Sequence, residues 1–515
     1  KAAAKELEFE RAAMLRDQMT TRRTARGVRK CITLLALAVI LVGGCQAPAP
    51  RDPIVAPSDP DPFDAVRGHI EQLVAAGTVP SMAVAVARDG NILWEEGFGL
   101  ADRASHIAAT EHTAYPLASL SKPLTATGLM ILVERGLIDL DQPIDDYLGE
   151  AKLQARVGDA ADATVRRVAS HTAGLPLHSQ HFYAGEPYQR PPMDETIRRY
   201  AQLLTGPGER FQYSNLGYGL LGYAISRTSD QSYAAFMHDE VFAPLGMEDT
   251  SVQVGPGLDA GQAVKYTAGG VAVPSCVSDS PAASAIYGSA HDLVRFAMFH
   301  LKNDLPGQEA ILGDASIDEM QRPSSETGPT RSWERQGSGY GLGWFVGITE
   351  DGLRVVHHSG GTVGVSTVLA LVPGENLAVV VLSNADGQWP DAILVEILCA
   401  LLHAQAEDFL PPAPNGDEAQ PFVPGTALVG SWTGWVYTYE GRVPFLLEVG
   451  ASGVHATLGD RPRTPLQQAS YQEGFPQFLN AGGGPFLRGW PEGELDTADV
   501  ERGRPYKLWL ELKLR

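Results

Sequence analysis

Residues 354–382 read RVVHHSGGTVGVSTVLALVPGENLAVVVL. Apolar residues gather in three short runs, Arg354 to His358, Val365 to Leu371 and Leu377 to Leu382, rich in valine and each too short for a helix. Pro373-Gly374-Glu375-Asn376 supplies the turn between the last two. Trp344 to Ile348 adds a fourth run just ahead of them. Neighbouring short strands joined by tight turns predict an antiparallel sheet.

The same signal recurs near the other end of this region. Residues 82–102 carry apolar runs on either side of Asp89-Gly90, the pattern of a hairpin. Before it, Phe63, Val66, Ile70, Leu73 and Val74 fall at helical spacing, and residues 391–403 predict a closing helix that packs back on the sheet. From the hairpin to about residue 300 the chain is helix-rich. Strands at both ends of a helical middle predict an α+β fold: an antiparallel sheet flanked by helices, with a helical subdomain beside it. Five prolines from Pro411 to Pro424 mark a linker, placed at residues 406–421. Beyond it, Leu508, Leu510, Leu512 and Leu514 alternate with Trp509, Glu511, Lys513 and Arg515, so residues 422–515 predict a small all-β domain, a barrel or sandwich.

Composition narrows the function. Of 40 Lys/Arg and 61 Asp/Glu, nine and four fall in residues 1–44, so the body of the chain is strongly acidic. That argues against nucleic acid as a partner, since phosphate binding needs a basic footprint. The four cysteines, Cys31, Cys45, Cys276 and Cys399, have no metal-ligand spacing. The His178/His181 and His357/His358 pairs lack acidic partners at useful spacing, so neither a metal nor a cofactor is expected.

The N-terminal sixty residues read as an address. An apolar run, ITLLALAVILV at residues 32–42, follows Arg22, Arg23, Arg26, Arg29 and Lys30. It is an export-signal core, shorter than the roughly 20 residues that span a bilayer. Val42-Gly43-Gly44-Cys45 resembles a bacterial lipoprotein box, which implies that residues 19–45 are a lipoprotein signal segment and that Cys45 is lipidated. Residues 46–62, rich in Pro and Asp, would then be a tether holding the protein at the cell envelope, on the outer membrane in a Gram-negative cell because Gln46 follows the cysteine. Residues 1–19 resemble the helical motif at the end of the excinuclease B subunit. Residues 1–18 are therefore expected to be a non-native remnant, with Met19 the start.

Three stretches could carry chemistry. Ser119 and Lys122 stand three apart where a loop enters an apolar helix, so hydroxyl and amine share a face. A serine hydroxyl becomes a nucleophile only when a neighbouring base takes its proton. Tyr213 and Asn215 precede a small-residue helix and could point into one cleft, the phenol relaying a proton and the amide holding a substrate carbonyl. His358-Ser359-Gly360-Gly361 ends an apolar strand, where glycines would let a substrate backbone approach and an N–H serve as an oxyanion donor.

In this order and spacing the three elements resemble the serine β-lactamase and penicillin-binding superfamily, in particular its class C-like branch. His171-Thr172-Ala173-Gly174-Leu175-Pro176, Val241 to Met247 and Tyr340-Gly341-Leu342-Gly343-Trp344 match as well, and the resemblance covers residues 63–405. It implies that Ser119 forms an acyl-enzyme, that Lys122 and Tyr213 share the base work, and that the N–H groups of Ser119 and Gly361 hold the oxyanion. Asn215, His358, Ser359 and Gly360 would bind substrate, in a pocket shaped by the loops at 177–195 and 252–285.

One departure bears on the substrate. Where efficient β-lactamases carry Lys-Thr-Gly, this chain has His358-Ser359-Gly360, and a histidine is mostly neutral at pH 7. An ester or small amide or peptide substrate is therefore expected. The alternatives are a D,D-peptidase or weak β-lactamase using the same residues, or a non-catalytic binding lipoprotein on a hydrolase fold.

Overall fold

The computed structural model describes residues 61–402, 429–479 and 509–514, apart from short stretches including 185–188, 254–261 and 328–337. The signal, lipidation and tether expectations at residues 1–60, and the linker, lie outside the described residues. Among the described residues no helix is long and apolar enough to cross a membrane.

Helix α1 (Asp64–Ala75) buries Val66, Ile70 and Leu73, the face its spacing predicts. The hairpin follows as β1 (Ser81–Arg88) and β2 (Asn91–Asp102). Asp89 and Gly90 both turn with positive φ, at 51° and 73°, matching the right-handed twist of the flanking strands. Helix α2 (Ser121–Glu134) is buried from Ser121 through Leu132, the all-round burial of a central helix. Helices α3 (Asn215–Ser229) and α4 (Ala290–His300) pack beside it in the helical middle.

The chain then returns to the sheet through β3 (Phe345–Ile348), β4 (Arg354–Thr362), β5 (Val365–Val372) and β6 (Leu377–Ser383). Antiparallel pairing runs β3-β4-β5-β6-β1-β2, and two-residue strands at the edges complete a nine-stranded sheet. Helix α5 (Trp389–Leu402) closes the domain. Both faces of the sheet are covered. On β1, Met82, Val84 and Val86 meet α1 and α5, while Ala83, Ala85 and Ala87 face the helical subdomain, their small side chains leaving room for α4.

Strand β4 runs on past His358 to Thr362, because Gly360 pairs with Thr367 and Gly361 with Ser366 on β5. Its other neighbour, β3, stops opposite His357, so the last residues of β4 are paired on one side only. The C-terminal strands form a separate six-stranded antiparallel sheet: β7 (Gly430–Thr438), β8 (Gly441–Gly450), β9 (Gly453–Leu458), β10 (Thr464–Gln472), β11 (Phe475–Leu479) and β12 (Trp509–Leu514). Its order is β11-β10-β9-β8-β7-β12, a meander whose last strand returns beside its first.

Candidate active site

Ser119 sits in a tight turn, Ala118–Leu120, that feeds directly into α2. Ala118 holds a left-handed φ of 48°, unusual for a residue with a Cβ and a local cost the surroundings must offset. They do so from both sides. The Leu117 N–H donates to the Ile286 carbonyl at 2.9 Å, and the Thr367 hydroxyl on β5 donates to the Leu117 carbonyl at 3.1 Å.

Lys122 is wholly buried. Its ammonium donates to Ser119 Oγ at 3.1 Å, to Asn215 Oδ1 at 2.8 Å and to the Ala283 carbonyl at 3.0 Å. Three acceptors match the three N–H bonds of a charged amine. The Nζ also lies 4.7 Å from the Tyr213 ring centroid, within cation–π range. Burial raises the Tyr213 phenol above its ordinary value, and a hydrogen bond with Ser119 opposes that shift. Ser119 and Lys122 thus converge with Tyr213 and Asn215, which lie 91 to 96 residues further along the chain.

A rack of hydrogen bonds positions Tyr213 and Asn215. The His171 carbonyl accepts from the Gln212 N–H at 2.7 Å, and His171 Nδ1 accepts from the Ser214 N–H at 3.0 Å. Ser214 Oγ donates to the Pro176 carbonyl at 2.6 Å and caps α3 by accepting from the Gly217 N–H. The Asn215 N–H donates to the Leu177 carbonyl at 3.0 Å. The His171 ring lies 4.2 Å from the Tyr213 ring and 4.7 Å from that of Tyr340. Burial, with smaller contributions from Lys122 and His358, holds His171 well below the ordinary histidine value, so it is a neutral acceptor. In the sequence this stretch stands only as a family match, with no role of its own. Its loop-like His-Thr-Ala-Gly-Leu-Pro is the one signal that could have marked it.

Ser119 opens on a cavity of about 460 Å³. Asn215 and Gly361 line it, together with residues of both loops expected to shape the pocket, among them His181, Phe182, Gln253 and Cys276. The remaining strand residues are placed differently. His358 is buried, its Nε2 3.2 Å from the Tyr340 hydroxyl and its Nδ1 2.7 Å from the Ser359 carbonyl. Neither His358 nor Ser359 nor Gly360 is among the residues lining the cavity. Gly360 admits the protein's own backbone rather than a substrate: a Cβ there would lie 2.0 Å from the Leu117 carbonyl oxygen. At Gly361 a Cβ would meet nothing within 4 Å, which leaves that residue open to the cavity.

Among the described residues no cluster of His, Cys, Asp or Glu could hold a metal ion. Cys276 and Cys399 are not bridged to one another.

A nine-stranded sheet between helical layers, with lysine and tyrosine gathered behind a serine that opens on a cavity, defines a serine hydrolase of the β-lactamase and penicillin-binding type. The chain belongs to the Beta-lactamase family, whose model matches residues 66–400. Penicillin-binding protein 4* of Bacillus subtilis is 28% identical over 335 residues, spanning 60% of this chain and 70% of that one. Protein flp of Staphylococcus aureus is 26% identical over 327 residues, and the match spans 62% of each protein's length. Among solved structures, SurE aligns with a TM-score of 0.59 at 26% identity, covering 82% of this chain and 96% of its own.

Proposed function

We propose that this protein hydrolyses an ester or a small amide or peptide through an acyl-enzyme on Ser119. The observation that carries the reading is the Lys122 ammonium, buried and hydrogen-bonded at once to Ser119 and Asn215. Ser119 Oγ attacks the carbonyl carbon, and its proton passes to the Lys122–Tyr213 pair. The pair becomes a base when the ammonium-with-phenol state loses one proton; free amine with phenol and ammonium with phenolate are then tautomers of one net charge, so the pair titrates as a unit. Burial favours the uncharged tautomer. The oxyanion lies between the backbone N–H groups of Ser119 and Gly361, where the loss of one donor typically costs about 10²–10³-fold in rate. The alcohol or amine leaves with the proton, and water then releases the acyl group.

Choice of an ester or small amide over a β-lactam is supported by His358. A buried imidazole replaces the strand lysine that would pair with a β-lactam carboxylate, and it is absent from the cavity wall. Intact-mass analysis after treatment with a fluorophosphonate tests the mechanism. One adduct mapped to Ser119 and missing in Ser119→Ala is expected. A folded wild-type protein that takes up no adduct would sink the proposal and favour a non-catalytic binding role.

A further inference from the structure

The chain carries a net charge of −21, yet among the described residues no Asp or Glu lines the cavity beside Ser119. Among the described residues, Lys265 and Arg190 are the Lys/Arg side chains that line it. Lys265 is 9% exposed, and among the described residues no carboxylate lies within ion-pair distance of its amine. Its amine donates to the Sγ of Cys276, another lining residue, at 3.4 Å. A buried ammonium facing only a thiol gains little in return for its lost hydration, and an anion entering the cavity would supply the missing partner.

The site is built rather than incidental. The Val264 N–H donates to the Ala101 carbonyl at 2.9 Å, the Tyr266 N–H to the Asn384 carbonyl at 3.0 Å, and the Val273 N–H to the Lys265 carbonyl at 2.8 Å. Backbone on both sides of Lys265 is thus tied to the ends of β2 and β6. Gly364, at the turn between β4 and β5, gives Lys265 its place: a Cβ at Gly364 would lie 2.9 Å from the Lys265 Cβ. Opposite, Cys276 pairs with Tyr183 in a short antiparallel ribbon that forms another wall.

We propose that Lys265, with Arg190 at the exposed rim, forms an anion subsite that selects substrates carrying a carboxylate alongside the scissile ester or amide bond. The subsite brings in, from a different wall, the cation that the His358 strand lacks. This inference rests on the hydrolase reading for its substrate but not for its binding chemistry, and the two are separable by experiment.

Cys276 reports on the subsite without any turnover. Its alkylation, mapped by peptide mass in the full-length protein, is to be timed with iodoacetate and with iodoacetamide. Taking the ratio of the two rates cancels any effect of Lys265 on the thiol's ionisation. That ratio is expected to fall about tenfold or more in Lys265→Gln and to be kept in Lys265→Arg and Ser119→Ala. In parallel, kcat/KM is compared for mono-4-nitrophenyl glutarate against 4-nitrophenyl valerate, and for 3-carboxyphenyl against phenyl butyrate. In one of these pairs the preference for the anion should drop about tenfold or more in Lys265→Gln. Unchanged alkylation and substrate ratios in a Lys265→Gln protein with a normal thermal transition would overturn the subsite. Failure of Cys276 to react with either reagent would overturn it too. A preserved iodoacetate preference in a protein with no ester turnover and no Ser119 adduct would instead overturn the hydrolase reading alone.

Discussion

At the scale of single residues, the chemistry depends on groups that never touch the cavity. His171 holds a left-handed φ of 59° and offers Nδ1 to the Ser214 N–H, one residue after Tyr213. It acts as a positioning residue, aligning a phenol whose reach to Ser119 would suffer from small shifts, since displacement by about 1 Å can cost about 100-fold in rate. Asparagine tolerates left-handed backbone and can place an acceptor oxygen near the position of Nδ1, whereas leucine supplies no acceptor. His171→Leu is therefore expected to lower kcat by about 10- to 100-fold with KM little changed, and His171→Asn to recover much of the loss. Equal losses in kcat for the two variants, with matching thermal transitions, would show that the acceptor is not what matters. None of this was legible beforehand. The contact joins residues 43 apart, and no local pattern encodes it. Ser119 and Lys122 were legible because one turn of helix brings them together, and Tyr213 with Asn215 because they flank a helix start. Lys265 sits in a loop with no motif, and only the folded cavity reveals it.

At the scale of elements, the nucleophile turn and strand β4 are fitted to one another. The apolar runs of the sheet were readable from local periodicity, and so was the Asp89-Gly90 hairpin turn. The continuation of β4 through Ser359-Gly360-Gly361 was not, because those residues carry no strand pattern and acquire one only from their register with β5. That register gives the two glycines opposite duties. A methyl at Gly360 would meet the Leu117 oxygen at 2.0 Å and Thr367 Oγ1 at 2.4 Å, the atoms that brace the turn holding Ser119. Backbone cannot yield as a flexible side chain would, so Gly360→Ala should destabilise the fold by about 1–3 kcal/mol. It should also slow fluorophosphonate labelling of Ser119 by about 100-fold. Gly361→Ala meets no atom within 4 Å and is expected to leave the thermal transition in place. Equal destabilisation by the two substitutions would mean that the close approach at Gly360 is not what couples strand to turn.

At the scale of the whole molecule, the C-terminal sheet stands outside the catalytic arrangement. The hydrolase layers close at α5, whose Ile393, Leu394, Ile397 and Leu398 complete the core on the outer face of the large sheet. The family match ends at residue 400, and the last cavity-lining residue in the chain is Val363. A β-rich C-terminal unit was legible from the alternation at residues 508–515, whereas its arrangement as a six-stranded meander depends on pairings that sequence does not specify. A sheet none of whose described residues lines the cavity should be removable without altering the chemistry. Deleting residues 411–515 is therefore expected to leave Ser119 labelling and kcat/KM on a small neutral ester within about twofold of the full chain, because no group that binds, attacks or moves a proton is lost. A fall in kcat/KM of about tenfold or more, from a truncated protein that keeps its thermal transition, would instead assign the sheet a part in covering the cavity. The change would then need to appear with small and large esters alike, since a sheet that merely guides bulky substrates would affect only the latter.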